Sequence, residues 1–129
     1  MIVVDSSCLA EVLLQTGDAA TIETRLRRAG GLHAPELLDL EILQVLRRLL
    51  AGREISSDRA ELALAALERL ALRRWSHAPL RRRIWALRAN LTAYDATYVA
   101  LAERLRCSVL TRDGRLARSS GHRARIEVV

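Results

Sequence analysis

The chain has no lysine and no phenylalanine, only two cysteines and two prolines, and aromatic residues make up 3% of its 129 positions. Each scarcity excludes something. Without lysine there is no Walker-A phosphate clamp, no Schiff-base chemistry and no lysine to complete a phospho-acceptor aspartate site. Cys8 and Cys107 lie far apart in apolar surroundings and match no CxxC or Cys/His zinc spacing, so they read as reduced core thiols. A GxSxG elbow is missing, which removes nucleophilic acyl chemistry. Trp75, Trp85, Tyr94 and Tyr98 are too few and too helix-embedded for a base-stacking platform, and Trp85, next to Ile84, reads as core. No apolar run reaches the ~20 residues that cross a bilayer. The opening residues Met1 to Asp5 lack a basic region and meet an acid too early for a signal peptide. A soluble, cytoplasmic protein without membrane partners is expected.

What the chain does have is arginine. All 21 basic residues are Arg, and the net charge is +6. Such a surface concentrates polyanions, and the guanidinium fork matches phosphate, although an arginine-biased genome would give the same count. The length suits a single domain over residues 1–129, and no repeat, low-complexity tract or linker divides it.

Ile2 to Val4 is a short, wholly apolar run that predicts a buried strand. Asp5, Ser6 and Ser7 supply cap-type residues before a helix from Cys8 to about Gln15, and a second helix follows Gly17-Asp18 to Arg28. Leu32 to Ala34 predicts a strand, and Glu36 to Ala51 a helix ended by Gly52. Another helix opens at Ser56 and runs to about Leu72. These last two are apolar around most of their circumference, which suggests a partner face and a homodimer. Further helices are expected over Leu80–Asn90 and, capped by Thr92, Tyr94–Arg106. Ser108–Thr111 is a strand, Asp113–Arg118 a short helix, and Ile126–Val129 the last strand. Strands alternating with helices predict an α/β fold, a parallel sheet of about four to five strands flanked by helices.

Four acids stand out. Asp5 and Asp113 each follow a predicted strand and precede a helix; either could be an N-cap, yet both would lie outside the carboxyl ends of parallel strands, where α/β sheets bind ligands. Asp95 fits a capping box with Thr92, but it shares a helix face with Leu91, Val99 and Ala102 and so heads an apolar stripe. Burying a carboxylate is costly unless a charge or metal compensates. Glu41 lies one turn from Leu37 and Val45, and a salt bridge to Arg48 explains it as well as a site role does. Converging carboxylates repel one another, and Mg²⁺ or Mn²⁺, which prefer hard oxygen ligands, relieves that repulsion. A basic domain with clustered acids and no lysine fits a phosphodiesterase acting on nucleic acid. A haloacid-type phosphatase also starts with an aspartate after strand one, but it needs an acid where Ser7 stands and a lysine.

At these residues the chain resembles the PIN-domain nucleases, most closely the VapC-like toxins of bacterial toxin–antitoxin pairs. Residues 2–7 (IVVDSS), 35–47 (PELLDLEILQVLR), 91–103 (LTAYDATYVALAE) and 109–117 (VLTRDGRLA) carry the resemblance, which spans essentially the whole chain. It implies a compact PIN-like three-layer sandwich, homodimerisation, and Mg²⁺- or Mn²⁺-dependent endonucleolytic cleavage of RNA that leaves a 5′-phosphate and a 3′-hydroxyl. By matching positions, Asp5, Glu41, Asp95 and Asp113 become the catalytic, metal-binding acids. Ser6 and Thr111 become supporting hydrogen-bond donors, with Ser7 a lesser candidate. The resemblance also implies a cognate antitoxin that blocks the site. Some relatives carry a further acid just after the last; here Asp113 is followed by Gly114, Arg115 and Leu116. Asp39 lies on the far side of its helix from Glu41 and receives no catalytic role.

Arg73, Arg74, Arg81, Arg82, Arg83 and Arg112 are candidates for tracking an RNA backbone, since phosphate contacts dominate affinity. A solvated helix face would look the same. The rival functional reading is a non-catalytic RNA- or protein-binding module whose acids serve as caps and salt bridges.

Overall fold

The computed structural model describes residues 1–129. Ile2–Val4 forms strand β1, with all three side chains fully buried. A strand covered on both faces needs no polar alternation, which is why this one reads as an unbroken apolar run. It lies at the centre of a five-stranded sheet ordered β3-β2-β1-β4-β5. The others are β2 (Leu32–Pro35), β3 (Leu72–Trp75), β4 (Ser108–Thr111) and β5 (Arg125–Val128), and every neighbouring pair is parallel. Seven helices flank the sheet: α1 (Ser6–Leu14), α2 (Ala19–Arg27), α3 (Leu37–Ala51), α4 (Ser57–Arg69), α5 (Arg81–Ala86), α6 (Ala93–Leu105) and α7 (Gly114–Ala117).

The expected parallel α/β architecture is present, with two corrections to its elements. Residues 72–75, read from sequence as the end of a helix at about Leu72 followed by arginines that a solvated helix face would explain, form strand β3. It pairs only with β2 and is an edge strand, so Arg73 points to solvent while Leu72 is buried. Two arginines in four residues hide a pattern that one buried residue suffices to seat. The helix expected over Leu80–Asn90 is shorter: a 3₁₀ turn at Ala78–Leu80 leads into α5, which ends at Ala86. On so short a helix Leu87 just beyond it turns inward and is 1% exposed, Ile84 is half-buried, and Trp85 projects outward with 64% exposed. Trp85 is therefore not core.

Helix α6 is the central packing element. Ala96 to Ala102 are all buried, including Thr97 and Tyr98, and the helix lies against β1, β2 and β4. The buried alanines Ala96, Ala100 and Ala102 around Val99 and Leu101 let the helix approach the sheet closely. Helix α3 begins without a side-chain cap from Glu36; instead His77, in the turn after β3, accepts from the Leu37 N–H at 3.1 Å. The β3 turn thus sets the start of the helix that carries Glu41. None of the helices is long and apolar enough to cross a membrane.

Candidate active site

The chain winds from β1 through β2 to β3 on one side, then returns to place β4 on the other side of β1. The carboxyl ends of β1 and β4 therefore flank the point where the winding reverses, the crevice at which open α/β sheets bind ligands. Asp5 follows β1 directly, and its backbone N–H extends the ladder to Leu110 at 2.9 Å. Asp5 occupies the N-cap position of α1 but makes no side-chain cap bond. Its carboxylate instead accepts from Thr111 Oγ1 at 2.6 Å, Ser7 Oγ at 2.8 Å and Ser6 Oγ at 3.3 Å. Two of these hydroxyls also accept from the β4 side: Asp113 N–H donates to Thr111 Oγ1 and Arg112 N–H to Ser7 Oγ. Two strand ends are thereby stitched together around one carboxylate. Ser7, given less weight than Ser6 from sequence, makes the closer contact.

Asp95 reaches this edge from the first turn of α6, where Thr92 caps the helix by accepting from the Asp95 N–H. Burial, the negative charge of Asp5 and that of Asp113 hold the Asp95 carboxyl above the usual range, against the opposing pull of Thr92 and Arg115. Asp113 does act as an N-cap, accepting from Arg115 N–H at 2.8 Å, and the Arg115 guanidinium closes on it at 3.1 Å. That arginine pushes the Asp113 carboxyl below its ordinary value. Glu41 on α3 forms no salt bridge to Arg48; it accepts from the buried Tyr98 hydroxyl at 2.6 Å. Burial and this carboxylate drive the Tyr98 phenol upward, so it stays a neutral donor. Tyr98 escapes a reading of the sequence. The available signal is its position three residues after Asp95, on the same face of a predicted helix.

A cavity of about 240 Å³ opens beside the acids, lined by Asn90, Thr92, Asp95, Asp113, Arg115 and Ser119 with Leu91 and Leu116 as apolar walls. The donors around it are carboxylates and hydroxyls, oxygen ligands suited to a hard divalent cation. No three acids meet as a ready-made ligand set. Arg115 competes with any cation for Asp113. Burial first, and then the charges of Asp5 and Asp113, disfavour a bare carboxylate at Asp95, and a positive charge placed among the three would relieve both.

The six candidate RNA-binding arginines divide by partner. Arg74 forms a bidentate pair with Asp39, Arg83 one with Glu103, and Arg112 bridges Glu11 and Asp18. Arg73, Arg81 and Arg82 have no carboxylate partner, and Arg73 lies 4.2 Å over the Trp75 ring. Cys8 is buried and free, its thiol pushed up to about 12 chiefly by that burial, and Cys107 is also free.

One consequence is measurable without substrate. Because the folded state raises the Asp95 carboxyl, its charge opposes folding above the ordinary aspartate value of about 4 and is harmless below it. Asp95→Asn should therefore raise Tm at pH 7 by roughly a few degrees, with the gain vanishing below pH ~4. The Thr92 cap uses the backbone N–H and survives the change. Loss of a helix-start charge costs about 0.3–1 kcal/mol and trims the gain. Thermal unfolding of both proteins across pH tests this; a variant less stable than wild type at neutral pH would show that the repulsion is already compensated.

A five-stranded parallel sheet with Asp5 and Asp113 beyond its strand ends at the winding reversal defines an open α/β class, and comparison with known proteins makes the class specific. The family model described as PIN domain matches residues 2–121. The chain belongs to the PIN-domain family. It is 43% identical to VapC ribonuclease Mb0985 of Mycobacterium bovis, over all of this chain and 98% of that protein. It is 39% identical to ribonuclease VapC12 of Mycobacterium tuberculosis, over 100% and 99% of the two chains. Among solved structures, Mycobacterium tuberculosis VapC20, described as a Sarcin-Ricin loop cleaving toxin, superposes with a TM-score of 0.71 at 17% identity, covering 95% of this chain and 97% of that one. VapBC2 from Rickettsia felis, bound to a DNA fragment from its promoter, gives 0.67 at 10% identity, covering 99% and 98%. These two structures share the fold.

Proposed function

We propose that the protein is the endoribonuclease toxin of a toxin–antitoxin pair, a single nuclease domain that hydrolyses RNA phosphodiester bonds with Mg²⁺ or Mn²⁺. The observation that carries this reading is the placement of Asp5 and Asp113 just beyond β1 and β4 at the winding reversal, with Asp95 at the start of α6 lining one cavity with Asp113. Near-full-length similarity to VapC ribonucleases supports it. Asp5, Asp95 and Asp113 would hold the cation, with Glu41 completing the acidic edge. When bound, the cation supplies an acidified water and positive charge beside the scissile phosphate. The chain's own work is to fix the acids. Thr111, Ser7 and Ser6 orient the Asp5 carboxylate, Tyr98 orients Glu41, and Thr92 holds the start of α6 so that Asp95 faces the cavity. Arginines without acidic partners, Arg73, Arg81 and Arg82 first among them, would meet RNA phosphates.

An antitoxin chain that occludes the acids, a homodimer and cytoplasmic residence complete the proposal. For the dimer, α3 presents Leu40 at 67% exposed with Leu43 and Leu50 also exposed, and α4 presents Leu62. Leu40, Leu43 and Leu50 recur at helical spacing along one side of α3, the arrangement a partner helix would cover.

The test is incubation with single-stranded and structured RNAs in Mg²⁺, in Mn²⁺ and in chelator, alongside thermal unfolding with and without the metals. Cleavage only with metal is expected. Binding to the native state alone should also raise the unfolding free energy, by about 2.7 kcal/mol when the cation is at 100 times its Kd. RNA binding without cleavage under any metal would replace the enzyme with a non-catalytic binding module.

A further inference from the structure

We infer that Trp85, with Arg81, Arg82 and Arg88 around it, is a landing site for single-stranded RNA on which a nucleobase stacks before the strand reaches the acids. The inference rests on the proposed RNA substrate and adds a site to it. An exposed apolar side chain alone means little, since most surfaces carry some. Trp85 differs in its setting. The Arg88 guanidinium lies 4.6 Å from the ring centroid, and the residue is still 64% exposed, so ring surface remains for a second planar group. A cavity of about 520 Å³ adjoins it, lined by Ala78, Pro79, Arg81, Arg82 and Trp85.

The charge decides what fits there. Arg81, Arg82 and Arg88 have no carboxylate partner, whereas Arg83 in the same helix turns back to a bidentate pair with Glu103. The arginine that faces the protein is neutralised, and the three that face outward are not. A second copy of this chain docked on α5 about a two-fold axis would set these arginines against themselves, an arrangement that like-charge repulsion disfavours. Single-stranded RNA offers what the patch lacks: phosphates for the guanidinium groups and bases that stack on an indole irrespective of sequence. The site is joined to the acids through a short stretch of chain. Trp85 precedes Asp95 by only ten positions, and within that stretch Asn90, Leu91 and Thr92 line the cavity that Asp95 and Asp113 share.

The experiment measures binding of a short fluorescent single-stranded RNA and of its duplex in chelator, so that cleavage does not enter. Trp85→Ala should weaken single-strand binding roughly tenfold to a hundredfold and leave duplex binding little changed, while Trp85→Phe should recover most of the loss. Arg81→Ala and Arg82→Ala should weaken both RNAs and lower the salt dependence of single-strand binding by about 0.7 in the log–log slope for each phosphate left unneutralised. Because the side chain is exposed, neither Trp85 variant should change Tm. Unchanged single-strand affinity in Trp85→Ala, or equal losses in the Ala and Phe variants, overturns the stacking site. So does sedimentation showing that Trp85→Ala dissociates a wild-type dimer, which would assign the patch to a second copy. A protein that cleaves RNA with Trp85 dispensable loses only this inference; one that binds RNA through Trp85 yet never cleaves loses only the nuclease reading.

Discussion

Asp5→Asn should slow RNA cleavage by about 10²–10³-fold while the protein stays folded. The asparagine has nearly the aspartate's shape, and because Thr111 and Ser7 both donate to the same carboxylate oxygen, its remaining carbonyl oxygen can still accept from both. Its NH₂ group takes the place of the oxygen that Ser6 meets at 3.3 Å, so that long bond is lost and the two close ones fall from charge-assisted to neutral strength, from about 1.5–3 to about 0.5–1.5 kcal/mol each. Against that loss, the variant removes the charge that helps to raise Asp95. The two effects oppose each other, and the net change in Tm should be small. Activity has no such compensation, because a neutral amide is a poor ligand for a hard cation and contributes no negative charge to hold one. Stabilisation by added Mg²⁺ or Mn²⁺ should disappear with the activity. Asp58→Asn, on the exposed first turn of α4 and far from the acids in the chain, controls for the loss of any single negative charge and should leave the rate within a few-fold. Single-turnover cleavage with saturating metal is the decisive measurement. An Asp5→Asn protein as fast as the Asp58→Asn control would remove the carboxylate edge from the mechanism.

Much of this site is legible in the chain because its determinants are local. An apolar run that stops at an acid announces a buried parallel strand and its carboxyl end together, which is how Asp5 and Asp113 declare their positions. Asp95 is recognisable by helical spacing alone, since a carboxylate heading an apolar face is conspicuous. What stays hidden depends on partners distant in sequence. Arg74 and Asp39 are separated by 35 residues, Arg83 and Glu103 by 20, and Arg112 and Asp18 by 94. No local pattern separates an arginine held by such a pair from one free to meet phosphate. Strand β3 is hard to see because an edge strand needs little apolar content. Trp85 misleads because adjacency to Ile84 says nothing of direction once the helix is only six residues long. Sequence alone thus assigns to the core an aromatic that is 64% exposed. Under the proposed function the acidic edge and the basic exterior would answer different needs, the first for a cation and the second for a polyanion.

Tyr98→Ala should cost about 3–5 kcal/mol of stability, and Tyr98→Phe about 1–3 kcal/mol, although the second removes a single oxygen. Tyr98 is 2% exposed in the central stretch of α6, so truncation to alanine empties a volume that Val99, Leu101 and the sheet cannot refill without moving. Phenylalanine keeps that volume. What it loses is the 2.6 Å hydrogen bond to Glu41, which leaves a half-buried carboxylate facing a ring edge with no donor. That cost should fall mainly on the carboxylate, so Tyr98→Phe combined with Glu41→Gln should be more stable than the two separate losses add up to, with a coupling of about 0.5–3 kcal/mol. Denaturant unfolding of wild type, both single variants and the double variant gives the coupling directly. The same proteins separate packing from positioning. If Tyr98 matters only as filler, Tyr98→Phe will bind metal and cleave RNA like wild type once folded. If it aims Glu41, cation-induced stabilisation will weaken and kcat will fall with little change in KM. Additive losses in the cycle would mean that Glu41 finds another partner when the phenol is gone, and that the bond between α3 and α6 is not what fixes its place.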